Sequence, residues 1–332
     1  VKSVRAQIAG TGAALPDRVL TNADLEKMVD TSDEWIMTRT GIKERRIAEN
    51  DEYLSLFATR ASREALSRAE IPADEVDMIL CATVTPDMLT PSTACFIQED
   101  LGATRASAFD LSAGCSGFLY ALACGQAFIQ SGLGRTVLVI GGEILSRYVN
   151  WEDRATCVLF ADGAGAVVLT AGEGRRGILS CRLHSDGSLA DLIVIPGGGC
   201  RYPATVENVQ RRLNTIRMKG NETFKVAVRS IEEVSREAVE EAGLQAKEID
   251  LFIPHQANQR IIGAVAQRLG IGPERCYVNI QHTGNTSAAS IPIALHEVVL
   301  AGRLKPDSHL LMAAFGAGLT WAGSVVRWGR NP

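Results

Sequence analysis

The order of apolar and polar positions predicts helices alternating with strands along the whole chain. The first twenty positions, VKSVRAQIAGTGAALPDRVL, alternate in polarity and read as a strand running into a Gly-Ala-Pro turn. Residues 63–80 (REALSRAEIPADEVDMIL) read as a helix, a short loop and an apolar strand, and so do residues 236–253 (REAVEEAGLQAKEIDLFI). Apolar runs such as VLVIGG (137–142) and LLMAAF (310–315) have the pattern of strands buried on both faces. Ile261, Ile262, Val265, Ala266 and Leu269 recur at helical spacing, and Gly270 stops that helix. No apolar run approaches the roughly 18 residues of a membrane span, and the N-terminus lacks the continuous apolar core of a signal peptide.

The two helix–loop–strand blocks are copies. At an offset of 173, without gaps, seven of 18 positions are identical: Arg63/Arg236, Glu64/Glu237, Ala65/Ala238, Ala69/Ala242, Ala73/Ala246, Glu75/Glu248 and Asp77/Asp250. Six further pairs are apolar in both. The echo continues in order. LGATRASAFDLSAGCSG (101–117) answers LGIGPERCYVNIQHTGNTSA (269–288), VLVIGG answers LLMAAF, and AGAVV (164–168) answers AGSVV (322–326). A period of half the chain is too long for a solenoid and predicts two similar α/β halves, 1–175 and 176–332. Residues 184–224 have no counterpart and read as an insertion in the second half, near a binding site.

Composition narrows the class. With 332 residues, 46% hydrophobic and 22% charged, the chain is an ordinary globular protein of about two domains by length. A net charge of −4 and 5% aromatics argue against a nucleic-acid binder. The eight cysteines are scattered, the closest pair (Cys115, Cys124) being nine residues apart, which favours a reduced, cytoplasmic setting over a disulfide framework. The five histidines are never three to five apart, so no zinc site is expected.

Three segments carry candidate chemistry. Cys115 lies in FDLSAGCSGFLYALACGQAFIQSG, which reads as strand, tight turn, then a helix from Gly117 to Gln130. That is the context of a nucleophile elbow, and the helix N-terminus favours a thiolate. The other seven cysteines read as structural. His255 ends an apolar strand just before a helix, where the helix dipole favours neutral imidazole; a satisfied loop histidine fits equally well. Asn285, in HTGNTSAAS, falls opposite Cys115 in the repeat, with Gly284 opposite Gly114. Asn285 reads as a second elbow or as a helix cap, and His282 beside it ranks lower. Gly316 and Gly318, in a turn after a strand, can present backbone N–H groups as an oxyanion hole or serve only the turn.

Together these motifs resemble the ketoacyl synthase (thiolase-like) superfamily and, within it, the β-ketoacyl-acyl carrier protein synthase III family. The resemblance runs along the whole chain through TSDEWIMTRTGI (31–42), AGCSGF (113–118), PHQANQRII (254–262), HTGNTSAASIP (282–292) and FGAGLTW (315–321). It implies a five-layer α/β/α/β/α fold of two pseudo-symmetric halves, as a homodimer. It implies Cys115, His255 and Asn285 as the catalytic triad, and the backbone of Cys115 and Ala317 as the oxyanion hole. Thr31, Trp35, Arg39, Arg154 and Asn258 fall on coenzyme A-binding positions, with Trp35 and Arg39 flanking the adenine. Lys225 and Arg260 match carrier-protein positions, with Arg268 adding charge on the same helix. The implied reaction loads an acyl group from acyl-CoA onto Cys115. An enolate from malonyl-acyl carrier protein then attacks it in a decarboxylative Claisen condensation that initiates fatty acid synthesis. No metal or other cofactor is implied, and no membrane.

An acidic carrier protein calls for a local basic patch. Between 201 and 229 stand seven basic residues (Arg201, Arg211, Arg212, Arg217, Lys219, Lys225, Arg229) against two acidic ones (Glu207, Glu222). Thr90 departs from the short-chain-specific members, which carry a bulky aromatic at the end of the acyl pocket, so a longer or branched primer is expected. A polyketide ketosynthase or acyltransferase of the same fold remains an alternative. A papain-like hydrolase shares the order Cys, His, Asn, but the residues before Cys115 lack its usual Gln. A hydroxymethylglutaryl-CoA synthase needs a glutamate near 80–90, where only Asp87 is acidic.

Overall fold

The computed structural model describes residues 4–329. Five strands, β1 (Arg5–Ala14), β2 (Met78–Ala82), β3 (Ser107–Leu111), β4 (Thr136–Ile144) and β5 (Asp162–Gly172), form one sheet in the order β1-β5-β4-β2-β3. Strand β2 is parallel to β3 and β4, whereas β5 is antiparallel to β1 and β4. Four strands, β6 (Gly177–Ser185), β7 (Leu251–Pro254), β8 (His309–Gly316) and β9 (Thr320–Arg327), form a second sheet in the order β6-β9-β8-β7. Each neighbouring pair runs in the same sense as its counterpart. The last strand of the second sheet is reduced to one parallel bridge between Phe252 and Cys276.

The helices sort into three layers. They are α1 (Asp33–Thr40), α2 (Leu54–Ala69), α3 (Thr93–Leu101), α4 (Gly117–Gln130), α5 (Gly220–Glu241), α6 (Gln259–Leu269) and α7 (Ser290–Leu300). Helices α2 and α3 pack on the outer face of the first sheet, against Ile79, Cys81, Leu138 and Ile140. The alternate residues Leu80, Val137 and Val139 face the other way, onto α4 and α7 between the sheets. Period-2 alternation with both faces apolar is why these runs read as continuous hydrophobic strands. Helices α5 and α6 cover the outer face of the second sheet around Phe252 and Leu311. The layers are therefore α/β/α/β/α.

The copied block keeps its local structure. A 3₁₀ turn separates α2 from β2 (Ala73–Glu75) and α5 from β7 (Ala246–Glu248). The shared aspartates explain part of the identity. Asp77 Oδ2 accepts from the Arg135 and Thr136 N–H groups at 2.7 and 3.0 Å, and Asp250 Oδ2 accepts from the His309 N–H at 2.8 Å. Each carboxylate thus pins the start of the neighbouring strand, β4 or β8.

The insertion folds as the 3₁₀ turn Gly187–Leu192, the paired short strands Ile193–Val194 and Arg217–Met218, and the helix Val206–Gln210. It packs across the first half: the Ile216 N–H donates to the Tyr148 carbonyl at 2.8 Å, and Arg212 pairs with Glu152 at 2.6 Å. Among the described residues no helix is long and apolar enough to cross a membrane.

Candidate active site

Cys115 sits in the 3₁₀ turn Gly114–Ser116 between β3 and α4, the strand–turn–helix expected of an elbow. Gly114 has φ +54°, and a Cβ there would meet the Ala317 backbone; a Cβ on Gly316 would meet the backbone of Cys115. Both positions are closed to larger residues, so the turn after β8 reaches Cys115 from the other half. The Thr320 hydroxyl locks the approach, donating to the Ala113 carbonyl at 2.8 Å and lying 2.6 Å from the Ser116 hydroxyl. The Ala317 N–H meets no backbone carbonyl among the described residues, which leaves it free to hold an oxyanion.

Cys115 opens onto a cavity of about 280 Å³. Its walls are apolar, from Val84, Leu145 and Phe160 of the first half and Ile193, Val194, Ile195 and Ile216 of the insertion. The insertion therefore lies at the site. The electrostatics correct the expectation of a poised thiolate. Burial pushes the Cys115 thiol up to about 12, and the charge of Glu143 pushes the same way; hydrogen bonds from the Ser287 side chain and the Cys115 N–H oppose this. Removing the sulfur from water costs the anion more than the helix end returns. The resting thiol is protonated.

His255 follows β7, its N–H on the Ala313 carbonyl at 2.8 Å, and is 2% exposed. Burial lowers its pKa to about 3, so the imidazole is neutral, the expected state with desolvation as its cause. Ser290, at the start of α7, sets the tautomer. Its Oγ accepts from the Gln256 N–H at 3.3 Å and lies 2.6 Å from His255 Nδ1. Nδ1 is the one acceptor within reach of the Ser290 O–H among the described residues, so the hydroxyl is assigned as donating to Nδ1. Nε2 then carries the imidazole proton as a donor. Gln256 fixes the loop beneath: its Nε2 donates to the Pro254 and Tyr277 carbonyls, and its Oε1 accepts from the Asn279 and Ile280 N–H groups.

Asn285 bridges to Phe160, its N–H on the Leu159 carbonyl and its carbonyl on the Ala161 N–H. Its side-chain Oδ1 accepts from the Ser287 N–H at 2.9 Å, which leaves the Nδ2 protons as donors. Neither His255 nor Asn285 is among the residues that line this cavity, and both are buried. The segment 284–290 joins the three side chains, with Asn285 on it, Ser287 sharing the cavity wall with Cys115, and Ser290 bonded to His255. His282 is exposed, 3.7 Å from Glu44, and away from this cluster.

Three contributors escaped the sequence reading: Ser287, Ser290 and Glu143. Glu143 is 0% exposed, and burial pushes its carboxyl up to about 7. The one signal in the sequence is an acid interrupting the apolar run VLVIGGEIL (137–145).

The outer residues divide. Trp35 on α1 carries Arg39 and Arg154 guanidinium groups 4.8 and 4.9 Å from its ring centre, and Arg154 also donates to the Asp30 carbonyl at 2.7 Å. Stacking of a base on Trp35 requires one arginine to swing away. The Thr31 hydroxyl is buried without a hydrogen-bond partner. Asn258 caps α6 through the Arg260 N–H and donates to the Arg39 carbonyl at 2.8 Å, so it positions Arg39. Thr90 is exposed and outside the cavity wall, because the segment Met88–Thr90 stands out from the surface. Lys225 and Arg260 are exposed, with the Arg260 guanidinium 5.3 Å over Phe224. Arg268 is already paired with Glu232 at 3.0 Å, where Arg236 joins it. Arg211 and Arg212 are paired likewise, so the basic run carries less free charge than its composition predicts.

Two sheets of one topology, enclosing paired helices with a cysteine elbow between the halves, define a thiolase-fold condensing enzyme of the acyltransferase type. The model for 3-oxoacyl-(acyl-carrier-protein) synthase III matches residues 109–187, and that for its C-terminal part matches 239–328. A beta-ketoacyl-(acyl-carrier-protein) synthase III of Caldanaerobacter subterraneus is 52% identical over 329 residues, 99% of each chain. The crystal structure of the Aquifex aeolicus 3-oxoacyl-(acyl-carrier-protein) synthase III is 54% identical, covers 97% of this chain and 100% of its own, and superposes with a TM-score of 0.90. The priming beta-ketosynthase of the R1128 polyketide pathway shares the fold at a TM-score of 0.91 with 34% identity, over 100% of this chain and 99% of its own. The chain belongs to the β-ketoacyl-acyl carrier protein synthase III family.

Proposed function

We propose that the chain condenses an acyl-CoA primer with malonyl-acyl carrier protein through an acyl-Cys115 intermediate, the first condensation of fatty acid synthesis. Cys115 Sγ attacks the thioester, and the N–H groups of Cys115 and Ala317 hold the oxyanion until coenzyme A leaves. The malonyl thioester then takes its place. His255 Nε2–H and an Asn285 Nδ2–H donate to its carbonyl oxygen, where negative charge develops as carbon dioxide departs. The enolate carbon attacks the acyl group and Cys115 is released. Neutral donors suit this step, because they stabilise charge that appears only in the transition state. The halves 1–175 and 176–332 act as one unit, the first carrying the nucleophile and the second both donors. This chemistry needs no metal and no cofactor beyond the coenzyme A thioester.

The observation that carries this reading is the segment 284–290, which ties Asn285, the Cys115 thiol and His255 into one site. Trp35, Arg39 and Arg154 receive the nucleotide, Thr31 and Asn258 support them, and Lys225, Arg260 and Arg268 face the acidic carrier. The cytoplasm is the setting in which these partners and eight free cysteines coexist. The unpaired edge strand β3, with Phe109, Met88 and Leu89 exposed nearby, suits a homodimer. A role for Thr90 in an acyl pocket then requires the partner subunit. Mass spectrometry after incubation with acetyl-, isobutyryl- and longer acyl-CoAs tests the reading. An acyl adduct on Cys115 that malonyl-acyl carrier protein discharges is expected; no adduct with any of them overturns it.

A further inference from the structure

The thiol of Cys115 must lose a proton as it attacks, and the usual candidate cannot take it. With Nδ1 held by Ser290, the Nε2 of His255 already bears a proton, and the buried ring resists becoming a cation. The alternative lies on the other side of Ser287. Its hydroxyl shares the cavity wall with Cys115 and donates its one proton to Glu143 Oε1 at 3.1 Å, which leaves the Oγ lone pairs to accept from the thiol. Ser287 is held at φ +50°, a left-handed conformation costly for a residue with a side chain, by its N–H on Asn285 Oδ1 and its O–H on Glu143. The two carboxylate oxygens are not equivalent. Oε2 accepts from the Thr85 hydroxyl at 2.6 Å, the Thr83 hydroxyl at 3.2 Å and the Val84 N–H at 3.1 Å. Oε1 has only Ser287 and a longer 3.3 Å contact from the Val84 N–H, so the less satisfied oxygen is the one that faces Ser287. The other titratable groups against Glu143 are Cys81 on β2 and Tyr148 after β4, and neither is a cation.

We propose that Glu143 is the proton acceptor for Cys115, reached through the hydroxyl of Ser287. This rests on Cys115 being the acylated nucleophile. As Sγ bonds to the thioester carbon, the S–H proton passes to Ser287 Oγ and the Ser287 proton passes to Glu143 Oε1. Coenzyme A departs as its thiolate and takes a proton from solvent. Glu143 stays protonated while the acyl group is on Cys115. When the enolate carbon takes the acyl group, the cysteine thiolate recovers its proton along the same path and Glu143 is again a carboxylate. Burial suits the acceptor to this task, because a carboxyl pushed up to about 7 both takes and returns a proton near neutrality.

The test is the pH profile of Cys115 alkylation by iodoacetamide, alongside the rate of coenzyme A release from acyl-CoA. The native protein is expected to gain reactivity through a step near pH 7, where Glu143 ionises, and then to level off. Glu143→Gln is expected to lose that step, rise about tenfold per pH unit with the thiol's own ionisation, and acylate about 10²-fold more slowly at pH 8. Ser287→Ala breaks the link, leaves the carboxylate with Thr83, Thr85 and Val84, and is expected to give the same profile should the glutamine variant not fold. Profiles of both variants that overlay the native one overturn the proposal, as does a native profile in the alanine variant alone. Alkylation reads the thiol without any acyl-CoA. A native step near pH 7 that both variants lose, with no acyl adduct from any acyl-CoA, therefore supports the relay and removes the condensing reading.

Discussion

Replacing Ser290 by alanine isolates the part played by the histidine tautomer. The hydroxyl makes one short bond, 2.6 Å to His255 Nδ1, and one long one, 3.3 Å from the Gln256 N–H, so the loss falls mainly on the imidazole. In a site this dry, an orphaned ring nitrogen costs roughly 1–3 kcal/mol, which the ring recovers by moving its proton to Nδ1 or by turning. Either response withdraws the Nε2–H donor from the enolate oxygen. At about 1.4 kcal/mol per factor of ten, decarboxylation of malonyl-acyl carrier protein is expected to slow roughly 5- to 150-fold. Release of labelled carbon dioxide measures it, with Cys115 alkylated so that no condensation intervenes. Acylation of the native thiol in the same variant is expected to change far less, because the attacking sulfur does not use Ser290. Native decarboxylation in Ser290→Ala refutes the tautomer argument. Equal losses in both half-reactions refute it too, since they signal general damage to the site.

His255 has its pKa lowered to about 3 in the fold against about 6.5 unfolded, so its contribution to stability is complete above the unfolded value and is lost as pH falls below it. Thermal melts from pH 7 to pH 4 are expected to fall less steeply in His255→Asn, by up to about 1.4 kcal/mol per pH unit; parallel curves contradict the buried neutral imidazole. Arg260→Glu is expected to raise KM for malonyl-acyl carrier protein roughly three- to tenfold, more at low salt, with acyl-CoA loading unchanged; equal effects on both half-reactions argue against a carrier surface there. Trp35→Ala removes the platform beneath Arg39 and Arg154 and is expected to raise KM for acyl-CoA about tenfold or more with kcat retained. An unchanged KM places the nucleotide elsewhere.

The fold was legible because its strands are buried on both faces and because it is written twice. Helix α4 occupies the stretch Gly117–Gln130 read from the sequence, and α6 stops at Gly270, whose φ is +69°. What pattern cannot show is which segments from opposite ends of the chain meet. Ser287 and Ser290 are two polar residues in a small-residue run, and only the approach of Cys115 and His255 gives them a task. Charge patterning misled for a related reason. Arg268 and Arg212 count as free cations in a window of sequence, but their partners Glu232 and Glu152 come from a neighbouring helix and from the other half, while Glu207, inside the window, takes Arg211 one helical turn away. The thiolate expectation failed because the helix dipole is a local property, whereas the desolvation of the sulfur comes with an apolar cavity to which both halves contribute walls.

The duplication also shows how one scaffold came to hold two different groups at equivalent elbows. At the offset of 173, Glu143 near the end of β4 falls opposite Gly316 at the end of β8. Each of these strand ends reaches the other half's elbow. Glu143 crosses to Ser287, beside Asn285, while the bare backbone of Gly316 lies against Cys115. A side chain at 316 would push the nucleophile's turn away, and a glycine at 143 would leave Ser287 without its acceptor. The exchange is therefore reciprocal in position and opposite in chemistry. The half with the nucleophile sends a carboxylate across, and the half with the donors sends a backbone turn whose free N–H can hold an oxyanion. Symmetric halves could supply two nucleophiles or two donor sets; breaking the symmetry at one pair of strand ends brings a thiol, a buried carboxylate and an unpaired backbone N–H to a single site, the set that the proposed reaction requires.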